Sequence, residues 1–308
     1  MKKAKDARFV LVTRKTRLQE LVERFNTWPQ ARFYLEHNRV DAQDYLLEHD
    51  HYKAQIQAAE ACLTALGGLH VIERGFLPNY QFGPRDVIVV IGQDGLVANT
   101  MKYLTGQPVI AINPHPERYD GKVLPFVLSD LTRIATRAGA NEVESRAITF
   151  AEARTNDGQH MLAVNDLFIG PKSHTSARYR LMWNGQSEVQ SSSGIIVTTG
   201  FGSTGWFQSV LAGALGVSGQ QDHPMSSGFA WDTPRLQFAV REPFPSQVTG
   251  VQLVFGSIQP GMELTLESQM PENGVVFSDG IESDYLAFNS GTILSVGLSA
   301  TRGQLVID

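Results

Sequence analysis

The sequence predicts two domains of different type: an α/β domain with a parallel sheet, followed by an antiparallel β-rich, β-sandwich-like domain. Over residues 9–113, short apolar runs alternate with amphipathic helical patterns, which is typical of parallel strands joined by crossover helices. From about residue 145, short strands alternate apolar and polar residues and are separated by turn sequences such as Asn184-Gly185. We assign residues 1–143 and about 287–308 to the first domain and residues 144–286 to the second.

The elements of the α/β half follow from their apolar patterns. The predicted strands are Phe9–Thr13, Leu69–Ile72, Asp86–Ile91 and Val109–Ile112. Apolar residues recur with helical spacing from Leu18 to Phe25, and Thr16 is the expected N-cap of that helix. A longer helix is expected over Ala42–Leu66, ended by Gly67 and Gly68. The core stripe predicted for it is Ala58, Cys62, Leu63 and Leu66.

Composition excludes several classes of protein. The chain has 308 residues, 42% of them hydrophobic, and a net charge of −5, which gives no general case for nucleic acid or an anionic membrane as partner. Its single cysteine, Cys62, excludes an internal disulfide framework and a cysteine-based zinc site. No apolar run approaches the roughly 20 residues that span a bilayer. We therefore expect a soluble, cytoplasmic protein.

The turn after the third predicted strand carries the most chemical information. The run Val87–Ile91 ends at Gly92-Gln93-Asp94-Gly95, and a helical pattern begins at once. Asp94 is thereby placed at the carboxyl end of a strand, where open α/β sheets bind ligands. A helix start offers free N–H groups to an anion, and a carboxylate there can accept a proton from an attacking hydroxyl. An ordinary βα turn with a capping aspartate is the alternative interpretation.

Basic residues follow the first predicted strand at the same sheet edge. Arg14, Lys15 and Arg17 can meet a triphosphate there, although a solvated basic loop is the commoner fate of such a run. The histidines His49 and His51 lie in a polar stretch without a third ligand, so we expect them to be exposed. A cleft between the two domains is the predicted ligand site.

Seven segments, in order along the chain, resemble motifs of one superfamily. Gly92–Gly95 resembles the GGDG turn of the NAD kinase and diacylglycerol kinase superfamily, and Ala163–Gly170 its Asn-Glu strand. Thr198–Trp206 resembles the TPTGSTAY loop of NAD kinases, and Val276–Gly280 their late "DG" strand. The segments Asn113–Arg118, Val240–Pro243 and Leu286–Gly291 are similar to the mitochondrial-type branch. The resemblance runs from residue 92 to residue 291.

The resemblance implies an enzyme that transfers the γ-phosphoryl group of ATP to the 2′-hydroxyl of the adenosine ribose of NAD, with Mg²⁺ accompanying ATP. Asp94 would then be the catalytic base. The implied NAD-binding residues are Gly95, Asn165, Asp166, Ser176, Arg178, Ser193, Thr199, Ser203, Thr204 and Asp279. The implied ATP- and phosphate-binding residues are Lys15, Arg17, Gly92, Gln93, Asn113 and Arg118. No residue is assigned as a certain metal ligand.

The resemblance also implies an oligomer. Family members are usually dimers or larger, so Ser176 and Arg178 can serve the site of a partner subunit.

Three residues depart from the family pattern. Gln93 replaces a glycine of the turn, Leu96 replaces a threonine, and Ser193 replaces an aspartate common in the family. These changes keep two alternatives open: a kinase of the same fold acting on a sugar or lipid alcohol, and a non-catalytic NAD- or nucleotide-binding sensor.

Overall fold

The computed structural model describes residues 7–308 and divides them into two compact units. The first unit extends to Arg146 and also includes Gln304–Asp308, and the second is Ala147–Gly303. Residues 287–303, which the sequence pattern assigns to the α/β half, belong to the second unit. The physical reason is that the last long strand pairs Ile293–Val296 with an antiparallel strand of the second unit, and only its end reaches the first.

The first unit is built on a parallel sheet, as predicted. Its strands are β1 (Arg8–Thr13), β2 (Gly68–Glu73), β3 (Asp86–Ile91) and β4 (Pro108–Ile112). They are hydrogen-bonded in the order β2-β1-β3-β4, and Gln304–Leu305 continue the sheet beside β4. Every residue of β3 is buried, which explains why that strand is a continuous apolar run. Because all four strands are parallel, their carboxyl ends lie along one edge.

Helices α1 (Arg17–Phe25), α2 (Trp28–His37), α3 (Ala42–Leu66), α4 (Asp94–Met101) and α5 (Leu131–Gly139) belong to this unit. The predicted cap of α1 is confirmed: the Thr16 hydroxyl accepts from the Gln19 N–H, and the Gln19 side chain accepts from the Thr16 N–H. Helix α2, which Thr27 caps, and helix α5 are absent from the elements predicted from sequence.

Helix α3 has the predicted length, and its buried face overlaps in part with the predicted stripe. Its core residues are Tyr52, Ile56, Ala59 and Leu63, whereas Ala58 is exposed and Cys62 is only partly buried. Of the predicted stripe, Leu63 is buried, and Cys62 and Leu66 are partly buried against the same core. Only Ala58 was wrong, because alanine marks both faces of this helix and does not fix the phase of the pattern. Among residues 7–308, no helix combines the length and the apolar character needed to cross a membrane.

The second unit contains two packed sheets. Its strands are β5 (Ser145–Thr155), β6 (His160–Ala163), β7 (Asp166–Pro171), β8 (Ala177–Trp183), β9 (Gln186–Ser192), β10 (Ile195–Thr198), β11 (Leu236–Val240), β12 (Phe255–Ile258), β13 (Leu264–Ser268), β14 (Gly274–Ser278), β15 (Tyr285–Ala287) and β16 (Ile293–Val306). An antiparallel sheet has the order β12-β11-β10-β7-β14-β15, and β16, β13, β8 and β9 pair in a second antiparallel set. Leu167 and Val197 of the first sheet share a core with Tyr179 and Leu266 of the second. The predicted β-sandwich-like domain is confirmed.

One helix of the second unit was missed by sequence analysis. Helix α6 (Trp206–Ser218) packs Phe207 and Leu211 against Ala239 on the outer face of the six-stranded sheet. Its glycines, and apolar residues distributed around the whole helix, conceal the amphipathic pattern that marks a surface helix. It begins directly after the Gly-rich loop, so that loop is a strand-to-helix connection.

The observed register of α3 generates a first prediction. Leu63→Ala should lower the free energy of unfolding by about 2–5 kcal/mol, because Leu63 is fully buried against the sheet. Leu47→Ala is the matched control on the same helix, since Leu47 is 59% exposed, and it should change stability by less than about 0.5 kcal/mol. Urea unfolding of both variants measures the difference. Equal effects would contradict the register.

Candidate functional site

The carboxyl edge of the parallel sheet gathers three of the segments that sequence analysis selected. Arg14–Arg17 follow β1, Gly92–Asp94 follow β3, and Asn113–Arg118 follow β4. Strand β3 lies between β1 and β4, and neighbouring strands are about 4.8 Å apart. The turn that carries Asp94 is therefore flanked on both sides by the segments that carry the basic residues.

Asp94 is the first residue of α4 and is half-buried. Its Oδ1 atom is buried and has no hydrogen-bond partner among the described residues. The preceding residue, Gln93, is exposed and makes no side-chain cap to the helix. An unpaired carboxylate oxygen at the end of a buried strand costs stability in the protein alone, so a ligand that donates a hydrogen bond to this carboxylate would offset that cost.

The neighbours of Asp94 explain two features of the turn. A Cβ atom at Gly92 would lie 2.7 Å from Cδ2 of Leu96, so this glycine is required for packing as well as for access. Leu96, which replaces the threonine of the family pattern, is 4% exposed and fills the space beneath the turn. Gly95 is exposed with open space around it. The approach to the helix start is thus open at Gly95 and shaped by packing at Gly92.

The basic residues at this edge are paired with carboxylates of nearby helices. Arg17 donates to Oδ2 of Asp44 at 2.7 Å, and Arg118 donates to both oxygens of Asp44 at 2.9 and 2.8 Å. These hydrogen bonds hold the pKa of Asp44 well below its usual range. Lys15 pairs instead with Glu23, at 2.8 Å. The structure therefore brings Arg17 and Arg118 together and directs Lys15 to a different acid.

Asn113 shapes the loop that carries Arg118. Its Nδ2 donates to the Tyr119 carbonyl at 3.0 Å, and its Oδ1 accepts from the His115 N–H at 3.0 Å. Asn113 is 6% exposed, so its amide is committed to the loop backbone. It positions the segment around Arg118 through these bonds.

Helix α3 supplies residues that sequence analysis did not select. The Tyr52 hydroxyl donates to the Ile91 carbonyl at 2.8 Å and accepts from the Arg14 N–H at 3.1 Å, joining the ends of β3 and β1. Burial raises its pKa to about 12. His51 contacts the Pro114 carbonyl at 2.7 Å, and His49 contacts the Thr16 hydroxyl at 2.8 Å.

The described residues contain no cluster of acids, histidines and cysteines suited to a metal ion.

In the second unit, Asn165 lies in the bend between β6 and β7, not within a continuous strand as expected. The reason is Asp279, whose carboxylate accepts the N–H groups of Val164 at 3.0 Å and Asn165 at 2.6 Å. Asp279 has a left-handed backbone, with φ of 55°, where the chain leaves β14. The side-chain amide of Asn165 makes no hydrogen bond within the described part of the chain, so it is free to bind a ligand.

Asp166 begins β7 beside this bend and is 7% exposed. Its pKa is raised to about 7, mainly by burial and further by the nearby negative charge of Asp279. Its carboxylate has no hydrogen-bond donor among residues 7–308. The group can therefore change protonation near neutral pH and accept from, or donate to, a ligand hydroxyl.

The Gly-rich loop uses its buried hydroxyls to hold this bend. Thr199 donates to the Val164 carbonyl at 2.5 Å and accepts from the Gly202 N–H at 3.2 Å. Ser203 donates to the Gly200 carbonyl at 2.7 Å. Both hydroxyls are fully buried, whereas Thr204 is exposed. Of the loop hydroxyls predicted to bind NAD, only that of Thr204 is presented to solvent.

A pocket of about 530 Å³ lies elsewhere in the second unit, and Ser193 lines it. Phe168 and Trp206 are stacked along its wall, with ring centroids 5.7 Å apart and an interplanar angle of 13°. The guanidinium of Arg241 lies 5.4 Å from the Trp206 ring centre. Ser176 and Arg178 do not line this pocket; they are exposed at the start of β8.

Solved structures share this architecture. Yeast NADH kinase complexed with NADH matches with a TM-score of 0.60 at 13% identity, covering 98% of this chain and 84% of that chain. The NAD kinase from Archaeoglobus fulgidus in complex with ATP matches with a TM-score of 0.56 at 14% identity, covering 97% of this chain and 92% of that chain. The chain has the NAD kinase fold.

The predicted fold is confirmed by these two structures, whereas the mitochondrial-type branch stays a prediction. No protein-family model matches the chain. No curated protein sequence matches it either.

The raised pKa of Asp166 predicts a pH-dependent stability. The folded protein keeps the proton up to about pH 7, whereas an unfolded aspartate loses it near pH 4, so the free energy of unfolding falls as pH rises between these values. Asp166→Asn removes this dependence and should stabilise the protein by roughly 2–4 kcal/mol more at pH 8 than at pH 4. Urea unfolding at both pH values measures the difference. Asp157→Asn, in an exposed turn, should show no such gain at high pH.

The hydrogen bonds of the Tyr52 hydroxyl predict a further stability difference. Tyr52→Phe should lower the free energy of unfolding by about 1–3 kcal/mol, because it removes one partner from each of two backbone groups. Tyr45→Phe is the control on the same helix, since the Tyr45 hydroxyl makes no hydrogen bond within residues 7–308. The two variants should be compared by urea unfolding. A Tyr52→Phe variant as stable as Tyr45→Phe would show that this link is unimportant.

Proposed function

We propose that the protein is an NAD kinase that transfers the γ-phosphoryl group of ATP to the 2′-hydroxyl of the adenosine ribose of NAD. The observation that carries the proposal is the unpartnered, buried Oδ1 of Asp94, at a helix start between two strand ends that bear arginines. The NAD kinase fold supports it.

In the proposed reaction, Asp94 accepts the proton of the 2′-hydroxyl as that oxygen attacks the γ-phosphorus and ADP leaves. The free N–H groups at the start of α4 and the guanidiniums of Arg17 and Arg118 bind phosphate oxygens. The exposed Gln93 amide is a further donor at the turn. Lys15, two residues before Arg17 in the sequence, adds positive charge near this edge although it is paired with Glu23.

The residues present fit Mg²⁺ that arrives with ATP. Mg²⁺ is usually held by one or two carboxylates, substrate phosphates and water, not by a complete protein cage. The Asp94 carboxylate suits such an ion, because its Oδ1 atom has no hydrogen-bond partner among the described residues. When bound, the ion would neutralise charge on the phosphates.

Dinucleotide recognition is proposed for the second unit. The free amide of Asn165 suits an adenine edge, and Asp166 suits ribose hydroxyls. Asp279, Thr199 and Ser203 would act indirectly, because they hold the backbone around these two residues. The stacked wall of Phe168 and Trp206, with Arg241, suits a planar ring next to a negative charge.

The proposal also covers assembly and cellular location. We expect a homodimer or larger homo-oligomer in which NAD is contacted by Ser193. Ser176 and Arg178 would contact the NAD of a partner subunit's site. The cytoplasm is the proposed compartment. The Arg178 side chain is exposed, which leaves it available for such a contact.

The decisive assay incubates the protein with NAD, ATP and Mg²⁺ and measures NADP. Asp94→Asn should lower kcat by about 10²-fold or more, because the amide cannot take the proton. Asp157→Asn, an exposed aspartate in a distant turn of the sequence, should retain activity. No NADP from the unmodified protein, or transfer only to sugar or lipid alcohols, would refute the proposal.

A further inference from the structure

We propose that Asp44 is an internal competitor of the nucleotide: it holds Arg17 and Arg118 together until a phosphate group of ATP displaces it from their guanidiniums. This inference rests on the proposed function for the identity of the ligand. It assigns Asp44 an inhibitory effect on affinity, which is opposite to that of an ordinary positioning residue.

The positions of Arg17 and Arg118 support a role in binding the phosphates of the nucleotide. Arg17 follows β1 and Arg118 follows β4, on the two sides of β3, whose end leads into Asp94. Asp44 connects them across that strand, with contacts of 2.7 Å to Arg17 and of 2.8 and 2.9 Å to Arg118. Arg17 and Arg118 are thus carried by the two segments that flank the Asp94 turn, and the Asp44 carboxylate is the anion between their guanidiniums.

The charge balance leaves capacity for a stronger anion. Two guanidiniums face one carboxylate, so the cluster keeps one net positive charge. Most of their N–H donors make no hydrogen bond within residues 7–308 and remain available. The Arg17 guanidinium also lies over the Tyr45 ring, 4.4 Å from its centre, which keeps it in place when its acid partner changes. A polyphosphate offers more charge and more acceptors than Asp44 does.

Solvent exposure distinguishes the ion pairs of Asp44 from the buried ion pair between Arg14 and Glu48. The side chains of Arg17, Arg118 and Asp44 are 38%, 32% and 42% exposed, so the ion pairs are reachable by a solute and individually weak. The contact between Arg14 and Glu48, at 2.7 Å, joins side chains that are only 14% and 4% exposed. Arg14 is therefore fixed to its acid, whereas Arg17 and Arg118 can exchange theirs.

The experiment measures binding of Mg²⁺-ATP and of inorganic tripolyphosphate to the full chain by calorimetry, without turnover. Asp44→Asn should bind both ligands about 3- to 10-fold more tightly than the unmodified protein, because the competing charge is gone. Glu36→Gln is the matched control: it removes the same charge from an exposed ion pair with Arg32, at 2.7 Å. Its affinities should change by less than about 2-fold. Arg118→Gln should weaken binding of both ligands.

Each other outcome contradicts the inference. Weaker binding by Asp44→Asn would show that Asp44 positions the arginines, and unchanged binding would show that they do not meet the phosphates. No binding of either ligand to the unmodified protein would also overturn it. Urea unfolding of Asp44→Asn checks that the variant is folded, and Asp44→Ser provides a second neutral replacement; the N-cap of α3 is Asp41 and is unchanged in both.

The result is separable from the proposed function. Tighter binding by Asp44→Asn with no NADP formed by the unmodified protein would keep the anion site and reject the kinase assignment. NADP formation by the unmodified protein, with no gain in affinity for Asp44→Asn, would keep the kinase assignment and reject the competing role of Asp44. In the first case, the tripolyphosphate measurement identifies a general polyanion site.

Discussion

The candidate active edge of the first unit depends on the contact between helix α3 and the ends of the parallel strands. One oxygen atom, the Tyr52 hydroxyl, receives the Arg14 N–H and donates to the Ile91 carbonyl, so the backbones leaving β1 and β3 are held by the same group. Glu48 lies one turn earlier on α3 and binds the Arg14 side chain. Since Ile91 is three residues before Asp94, the placement of the proposed base follows from this helix.

The acids of α3 divide the basic residues into structural and functional ones. Removing either member of the buried Arg14–Glu48 pair would leave an uncompensated charge in the interior, so that pair is best understood as part of the fold. The exposed pairs made by Asp44 contribute little to stability and can be replaced by a ligand at small cost. Sequence alone does not separate Arg14 from Arg17, because both belong to the same short basic run. Their burial distinguishes them.

Much of the fold could be predicted from sequence, because strand and cap signals are local. The apolar runs located β1 to β4 and the Thr16 cap located α1. The phase of α3 and the existence of α6 could not be predicted, since alanine and glycine do not report which face is buried. Asp94 could be selected from the sequence because a buried strand and a glycine turn determine its place. Tyr52 could not be selected, because its hydrogen-bond partners are backbone groups 38 and 39 residues away.

The predicted NAD-binding residues show why motif residues differ in role. Thr199 and Ser203 satisfy their hydroxyls with backbone groups, and Asp279 uses its carboxylate on the N–H groups of Val164 and Asn165. These residues use their hydrogen bonds to stabilise the backbone around the bend. The Asn165 amide and the Asp166 carboxylate are left without donors or acceptors within residues 7–308, in a place that the other three residues keep rigid. A buried carboxyl group next to a second acid is unfavourable in the protein alone, and a ligand hydroxyl relieves it. The same reasoning applies to Oδ1 of Asp94, so the groups that the fold leaves unsatisfied are the ones to assign to the substrate.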